Sequence, residues 1–264
     1  MMRKIESAID LELDGEADLV FSIAAHTLAN LESETFTITG DGQPLDVIES
    51  IDRSECRLHR VTTSAKHIEM RYSATVLDRA QPNEPEELDL IQFRRPSRYA
   101  ESDLLGPTAR SMFRGKQGFE LVDAVVDWVS RNISYVPGSS APTDGARDTF
   151  LKRQGVCRDF AHLTIAFLRA NDLPARLVSV YAPGLVPMDF HAVVEVLVDG
   201  AWYVVDSTHL APRRLMQRIA SGRDAADTAF LSNTIANLRL SKLHVNATSS
   251  ELILEDWTER VQLG

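Results

Sequence analysis

Two apolar, β-branched runs that meet at Asp199-Gly200 constrain the fold of this chain more than any other feature. The runs are HAVVEVLVDG and AWYVVDST. An Asp-Gly pair between such runs is a strong signal for a tight turn, so we expect two antiparallel neighbouring strands. His191 opens the first strand and Asp206 ends the second. Strand pairing then predicts that both side chains lie at the same open end of the hairpin, within a register offset of one or two residues.

A thiol lies at the start of a predicted apolar helix. In GVCRDFAHLTIAFLRA, Gly155 permits a tight turn and Cys157 follows it at the helix start. The N-terminus of a helix stabilises an anion through its oriented N–H groups, which favours the thiolate form of a cysteine at such a position. The alternative is a small apolar residue that fills the helix start. The placement alone leaves both interpretations open.

A thiolate that performs acyl chemistry needs a general base, and the base needs a group that orients it. His191 and Asp206 are candidates for these two roles because the hairpin brings them together. A single histidine is more often a satisfied surface or core residue, and a single aspartate at a strand end is more often a turn former. Both of these interpretations lose force when the two residues are neighbours.

The same segments resemble a known family. The combination of GVCRDFAHL, DLPARLVSVYAPG, FHAVVEVLVDG and AWYVVDST is similar to the motifs of the bacterial transglutaminase-like proteins, and RRPSRYAESD resembles the segment that enters their catalytic domain. The resemblance implies a papain-type core, in which a helix bearing the nucleophile packs on an antiparallel sheet bearing the base. It implies that Cys157 is the nucleophile, that His191 is the general base and later the acid, and that Asp206 orients His191.

The chain departs from the family pattern at two positions. Val193 follows the His-Ala pair where many members have Trp, and Ser207 replaces the proline of Asp-Pro-Thr. Neither change removes a functional group from the triad. The first removes an aromatic ring beside the base and leaves substrate specificity open.

The oxyanion hole is less well defined by the sequence. The backbone N–H of Cys157 is the expected first donor. Tyr135, on the loop before the active helix, and Gln154 are equal candidates for the second donor. Arg158 and Asp159 follow the thiol and are candidates for lining the cleft, although the helix dipole also accounts for Asp159.

We expect five further residues to have structural or groove-lining roles rather than catalytic ones. We expect His162 and His209 to have structural rather than catalytic roles, and Cys56 to be a partly buried thiol without chemistry. Asp189 and Phe190 precede the base, and we expect them to shape the substrate groove.

The distribution of patterns predicts an α+β fold with two domains. Residues 1–95 are rich in strand patterns and turn signals, which predicts an all-β domain, either a sandwich or a small barrel, and the resemblance implies that this is an accessory domain. Residues 96–264 form the predicted catalytic domain. The more local predictions are helices in LVDAVVDWVSRNI and FAHLTIAFLRAND, helical stretches over 214–220 and 224–231, a loop over YVPGSSAPTDGARDT, and strands in ELDLIQFRR, LRLSKLHVNA and ELILEDWTER.

Composition excludes several classes of protein. A net charge of −10 over 264 residues disfavours a binder of nucleic acid or of anionic membranes. Two cysteines are too few for a disulfide framework, and the histidines show no metal-ligand spacing, so we expect neither a metal nor a cofactor. The N-terminus meets acidic residues before an apolar run can form, and no run approaches the roughly 18 apolar residues of a membrane span. The expected location is the cytoplasm.

The chemistry that these residues predict is thiolate attack on an amide carbonyl, followed by resolution of the acyl-thioester by water or by an amine. We expect hydrolysis of a peptide or protein substrate, because water needs no second binding site. A protein-glutamine crosslinking transglutaminase and a non-catalytic binding module on the same fold are the alternatives. No calcium loop of the EF-hand type is present in the sequence, so the calcium-dependent crosslinkers are poor guides. A structural zinc protein is disfavoured by the ligand count, and the sequence does not define the oligomeric state.

Overall fold

The computed structural model describes residues 1–82 and 84–264, and within them it is an α+β protein. The strands are Met2–Leu13 (β1), Ala17–Phe21 (β2), Leu31–Gly40 (β3), Gln43–Pro44 (β4), Ile48–Ile51 (β5), Arg57–Thr63 (β6), His67–Leu77 (β7), Ser134–Tyr135 (β8), Gln154–Gly155 (β9), Ala175–Tyr181 (β10), Phe190–Val198 (β11), Ala201–Val205 (β12), Gln217–Gly222 (β13), Leu231–Thr234 (β14) and Leu238–Ser249 (β15). The helices are Glu87–Gln92 (α1), Ser102–Met112 (α2), Gly118–Asn132 (α3), Ala146–Lys152 (α4), Cys157–Ala170 (α5) and Ala225–Thr228 (α6). Across these residues, no helix is long and apolar enough to cross a membrane.

Two antiparallel sheets form a β-sandwich that contains the N-terminal strands. Their strand orders are β15-β1-β7-β3-β4 and β14-β2-β6-β5. Alternate residues of β1 and β7 are buried, which is the period-two pattern of strands with one face against a core. Ile9 of the first sheet and Phe21 and Val61 of the second belong to the same buried cluster. The prediction of a β-rich accessory region is therefore confirmed, and its sheets adopt the sandwich alternative.

The sandwich is completed by strands from the other end of the chain. β15 pairs with β1 along almost its whole length, and β14 pairs with β2. Residues 231–249 therefore lie with the N-terminal strands in space, although they follow the catalytic core in sequence. The division into 1–95 and 96–264 stays a prediction of domain bounds.

The catalytic core is an antiparallel sheet covered by helices. The strand order is β12-β11-β10-β13, and α5 packs on this sheet with α2, α3 and α4 around it. From Asp159 to Ala170, every residue of α5 is buried, so this helix forms the centre of the domain. The predicted papain-type arrangement, in which the helix that begins at Cys157 packs on an antiparallel sheet, is confirmed.

The sandwich packs directly against this sheet. The buried hydroxyl of Tyr181 in β10 donates to the carbonyl of Ile23 at 2.9 Å and is hydrogen-bonded to the hydroxyl of Ser7 at 2.9 Å. Ile219 and Ala220 of β13 belong to the same buried cluster as the sandwich core. The accessory region and the catalytic sheet therefore share apolar contacts.

Two of the local predictions before α5 are wrong. ELDLIQFRR forms α1 rather than a strand, because Asp89 accepts the N–H of Glu86 at 3.0 Å and starts a helix. Over Glu87–Gln92 no side chain is buried, so no sheet competes for this segment. The predicted loop YVPGSSAPTDGARDT ends in α4, whose first turn is started in the same way by Asp148, which accepts the N–H of Gly145 at 3.0 Å.

The predicted helices after β12 are also corrected. Over 214–220 the chain forms a single 3-10 turn, Arg213–Leu215, and then β13, which pairs with β10. All six residues of β13 are buried, and its Arg218 donates two hydrogen bonds to the buried Glu195. This ion pair lets an arginine occupy a fully buried strand, which local propensity does not predict. Over 224–231 only α6 is helical.

Candidate active site

The predicted hairpin is confirmed, and it brings the two polar residues into contact. Asp199 and Gly200 have φ of 50° and 79°, the left-handed values that a type I′ turn requires. The ladder pairs Val194 with Val205, so His191 and Asp206 are offset by two positions at the open end. His191 Nε2 lies 2.8 Å from Asp206 Oδ2. The structure therefore contains the imidazole–carboxylate pair that the spacing predicts.

The thiol stands at the first residue of α5, as predicted. Asp159 fixes this helix start, because its Oδ2 accepts the N–H of Val156 at 2.8 Å. Gly155 is required for the same contact, since a Cβ at this position would lie 2.6 Å from the Cβ of Asp159. Cys157 is partly exposed at the end of this turn. The local sequence thus places the thiol at a helix N-terminus, where a thiolate is stabilised.

The buried histidine is held in its charged form by its neighbours. Burial by itself lowers the pKa of His191, but the Asp206 carboxylate and then the Cys157 thiol reverse this effect and raise it above its ordinary value. Among residues 1–82 and 84–264, the other ring nitrogen, Nδ1, has no hydrogen-bond partner. Because Nε2 is bound to Asp206, Nδ1 is the nitrogen free to exchange a proton with the thiol.

The carboxylate is held in its ionised form. Burial alone raises the pKa of Asp206, and His191 together with the donors of Thr208 lowers it below its ordinary value. Asp206 Oδ1 accepts the backbone N–H of Thr208 at 2.9 Å and its hydroxyl at 2.7 Å. Ser207, which replaces the family proline, is hydrogen-bonded to Thr164 of α5 at 2.8 Å. The end of the hairpin is therefore tied to the helix that carries the thiol.

Of the candidate oxyanion donors, only one lies beside the thiol. β8 and β9 pair in parallel, with Tyr135 opposite Gly155. The Tyr135 hydroxyl lies close enough to the backbone N–H of Cys157 for this N–H to lower the pKa of Tyr135. Burial, and next the Cys157 charge, raises the pKa of Tyr135 to about 12, so this hydroxyl is a protonated donor at neutral pH. Gln154 and Tyr135 are both exposed, and within the described part of the chain neither belongs to the cleft wall, so the contact of the Tyr135 hydroxyl with Cys157 is what distinguishes the two candidates.

The two charged residues after the thiol mainly hold the neighbouring loop. Arg158 Nη2 donates to the hydroxyl of Ser140 at 2.6 Å and to the carbonyl of Ala141 at 2.8 Å. Ser140 in turn donates to Asp159 Oδ1 at 2.8 Å. Arg158 also lines the cleft, whereas within residues 1–82 and 84–264 Asp159 does not.

His162, His209 and Cys56 contact residues outside the triad, and Cys56 is fully rather than partly buried. His162 Nε2 accepts the N–H of Ala225 at 3.1 Å, and burial lowers the pKa of His162 to about 3. His209 lies against the ring of Trp257 at a centroid distance of 4.4 Å. Cys56 is buried, which raises the pKa of its thiol to about 12.

A cleft of about 510 Å³ opens at the thiol. Asp189 and Phe190 line it, which agrees with the expectation that they shape the groove. Its wall also contains Phe230, Leu231 and Leu243, which lie in or next to the sandwich strands β14 and β15. Sequence analysis missed these three because no local pattern relates strands after the catalytic core to its active site.

Comparison with known proteins agrees with this architecture. Residues 108–207 match the model of the transglutaminase-like superfamily, a range that includes Cys157, His191 and Asp206. A crystal structure from Cytophaga hutchinsonii, named as that of a candidate cysteine protease, aligns with a TM-score of 0.88 and 33% identity over 100% of this chain and 96% of the other. The chain belongs to the transglutaminase-like superfamily. The resemblance seen in the sequence is thus confirmed, and it places the chain in a family of thiol enzymes.

Curated relatives match shorter segments of the chain. An uncharacterized protein of Mycobacterium leprae is 27% identical over 132 residues, which is 47% of this chain and 47% of that protein. An uncharacterized protein of Mycobacterium tuberculosis is 45% identical over 64 residues, 23% of this chain and 20% of that protein. The chain therefore spans about half the length or less of these curated relatives.

Proposed function

We propose that this protein is a thiol hydrolase that cleaves amide or peptide bonds through Cys157, His191 and Asp206. The observation that carries the proposal is the buried imidazole–carboxylate pair, 2.8 Å between His191 Nε2 and Asp206 Oδ2, with the Cys157 thiol close enough to help raise the pKa of the imidazole. A helix N-terminus behind the sulfur adds to the stability of the thiolate. A nucleophile, a base and an orienting group are the minimum set for covalent acyl transfer.

The reaction divides into acylation and deacylation. The Cys157 thiolate attacks the carbonyl carbon and forms a C–S bond, while the carbonyl oxygen becomes an oxyanion that accepts hydrogen bonds from the Cys157 N–H and the Tyr135 hydroxyl. Collapse breaks the C–N bond, and protonated His191 gives its proton to the leaving amine. In deacylation His191 removes a proton from water, the hydroxide attacks the thioester, and the C–S bond breaks to release the acid and restore the thiolate.

Selective alkylation tests the nucleophile without knowledge of the substrate. We expect iodoacetamide at pH 7 to label Cys157 at least about 10²-fold faster than Cys56, because the first thiol is partly exposed beside an imidazolium and the second is buried with a raised pKa. Peptide mass mapping of a time course measures both rates in one sample. Equal rates for the two cysteines in the folded protein would reject the thiolate proposal and favour a non-catalytic module.

The second oxyanion donor can be tested by a pair of variants. We expect Tyr135→Phe to lower kcat by roughly 10²-fold with little change in KM, because the hydroxyl contacts the oxyanion only in the transition state. Gln154→Ala is the matched control, since Gln154 also precedes this helix and is exposed as Tyr135 is, and we expect its kcat to stay within about twofold of the parent. Steady-state kinetics on one peptide from a randomised library measures both. The reverse pattern would assign the donor to Gln154.

The fate of the acyl-thioester separates hydrolysis from crosslinking. The enzyme is incubated with peptides that it cleaves and with a large excess of a primary amine. The products are free acids if water resolves the acyl-thioester and amine adducts if the protein is a transglutaminase. Mass spectrometry counts the two products. We expect acids to predominate, because water needs no second binding site; a predominance of adducts would replace the hydrolase by a transglutaminase.

A further inference from the structure

The cleft at Cys157 is built jointly by the catalytic core and the sandwich. Leu177 and Ala192 of the catalytic sheet line one side, and Ala229 follows α6 along the edge. Leu231 of β14 and Leu243 of β15 line the side that belongs to the sandwich. A molecule whose carbonyl carbon is attacked by Cys157 therefore contacts both parts of the protein.

The sandwich side of the cleft is held in place before any ligand binds. Phe230 stacks on Phe190, with 5.4 Å between ring centroids, and Phe190 directly precedes His191. The carbonyl of Phe230 accepts the N–H of Ser22 at 3.0 Å, and the next residue, Leu231, pairs with Phe21. These contacts fix the distance between the apolar wall and the catalytic histidine.

The charged side chains that line the cleft already form hydrogen bonds with neighbouring residues of the protein. Apart from His191 of the triad, the charged side chains that line it within residues 1–82 and 84–264 are Arg158 and Asp189. Arg158 is bonded to the loop at Ser140 and Ala141, and Asp189 Oδ1 accepts the N–H of Phe190 at 2.7 Å. The rest of the wall is apolar, with a few hydroxyls. A charged substrate side chain placed against this apolar wall would lose its hydration without gaining a partner. An apolar substrate side chain would be stabilised by burial.

The size of the cleft suits a large side chain rather than a methyl group. Its volume of about 510 Å³ lies within the range of roughly 300–1,000 Å³ that is typical of clefts that bury small ligands. An aromatic or long aliphatic side chain and the adjoining peptide backbone fill such a space.

We propose that this cleft is a substrate subsite, walled on one side by the sandwich, for a large aliphatic or aromatic side chain within two residues of the amide bond that Cys157 attacks. The proposal rests on the hydrolase function and deepens it, since it names the substrate class. It also gives the accessory sandwich a role, which is to supply specificity to a site whose catalytic groups lie elsewhere.

Two leucines of the same strand provide a matched test. Leu243 lines the cleft, and Leu240 is 42% exposed on the same strand and lies outside it. With a peptide library varied one position at a time, we expect kcat/KM for Leu and Phe to exceed that for Asp, Lys and Gly by at least about tenfold at one position. Leu243→Ala lowers this preference about tenfold, whereas Leu240→Ala leaves it unchanged. A uniform profile, or equal effects of the two variants, overturns the proposal.

A second variant and a binding measurement keep the test independent of folding and of catalysis. Ala229→Trp fills the cleft from the side of α6, and we expect it to reduce turnover of Phe peptides relative to Ala peptides by at least about tenfold. Calorimetry on Cys157→Ala compares binding of the same peptides without chemistry. Tighter binding of Phe than of Asp peptides supports the subsite even if no library member is cleaved, in which case the hydrolase proposal alone fails. Cleavage without any apolar preference overturns the subsite and leaves the hydrolase standing.

Discussion

Cys157→Ala is expected to lower kcat/KM by about 10⁴-fold or more on any peptide that the parent cleaves, because the variant has no atom that can form the acyl-enzyme. The free energy of unfolding changes by less than about 1 kcal/mol, since the thiol is partly exposed at the helix start and contributes little to the core. Parallel assays of peptide cleavage and of urea unfolding measure the two effects.

The second cysteine supplies the matched control with the opposite pattern. Cys56 is buried, and its sulfur accepts the N–H of Ser221 at 3.2 Å between the sandwich and β13. We expect Cys56→Ala to lower the free energy of unfolding by about 1–2 kcal/mol and to leave kcat/KM of the folded protein unchanged. Retained activity in Cys157→Ala, with the expected loss of stability in Cys56→Ala, would show that the nucleophile is another group.

The parts of the site that the sequence predicts correctly are those whose geometry is local. A two-residue turn fixes which residues of β11 and β12 are neighbours, so the contact of His191 with Asp206 follows from spacing alone. The position of Cys157 depends on Gly155 and Asp159, which belong to the same turn of chain. In both cases the contacts that position the side chains join residues that are only a few positions apart or that face each other across one hairpin.

The parts that the sequence does not predict depend on contacts between distant segments. The sequence of β13 contains both polar and apolar residues and has no clear strand pattern. It forms a strand because β10 offers it a free edge and because Glu195 neutralises its Arg218. β15 returns from the catalytic core to pair with β1, more than two hundred positions earlier. The cleft wall formed by Leu243 follows from that pairing, so it becomes visible only in three dimensions.

Asp206→Asn is expected to lower kcat by about 10³- to 10⁴-fold, because the amide cannot stabilise the imidazolium that forms when His191 accepts a proton. Without the carboxylate, burial dominates and the pKa of His191 falls below its ordinary value. The rate of alkylation of Cys157 at pH 7 therefore falls together with kcat. Both changes occur although Asn keeps an oxygen that accepts from Thr208.

In the same variant, the size of the loss in unfolding free energy depends on pH. The pKa of Asp206 is lowered on folding, so its contribution to stability is present above about pH 4 and is lost as the pH falls through the folded value. The pKa of His191 is raised, so its contribution is fully present below about pH 6.5 and is lost as the pH rises through the folded value. The loss of unfolding free energy in Asp206→Asn is therefore largest between about pH 4 and 6.5, at about 3 kcal/mol.

Asp189→Asn is the control, because we expect it to raise the free energy of unfolding where Asp206→Asn lowers it. Burial raises the pKa of Asp189, so in the parent this carboxyl lowers stability as the pH rises above about 4, and the amide removes that penalty. Urea unfolding of the parent and both variants from pH 4 to pH 9 gives the comparison. A loss for Asp206→Asn that is constant over this range would mean that His191 and Asp206 are not an ion pair in the folded protein. A loss that is largest between their ordinary pKa values and declines as the pH rises above about 6.5, with the reverse trend in Asp189→Asn, ties catalysis and stability to the same buried pair.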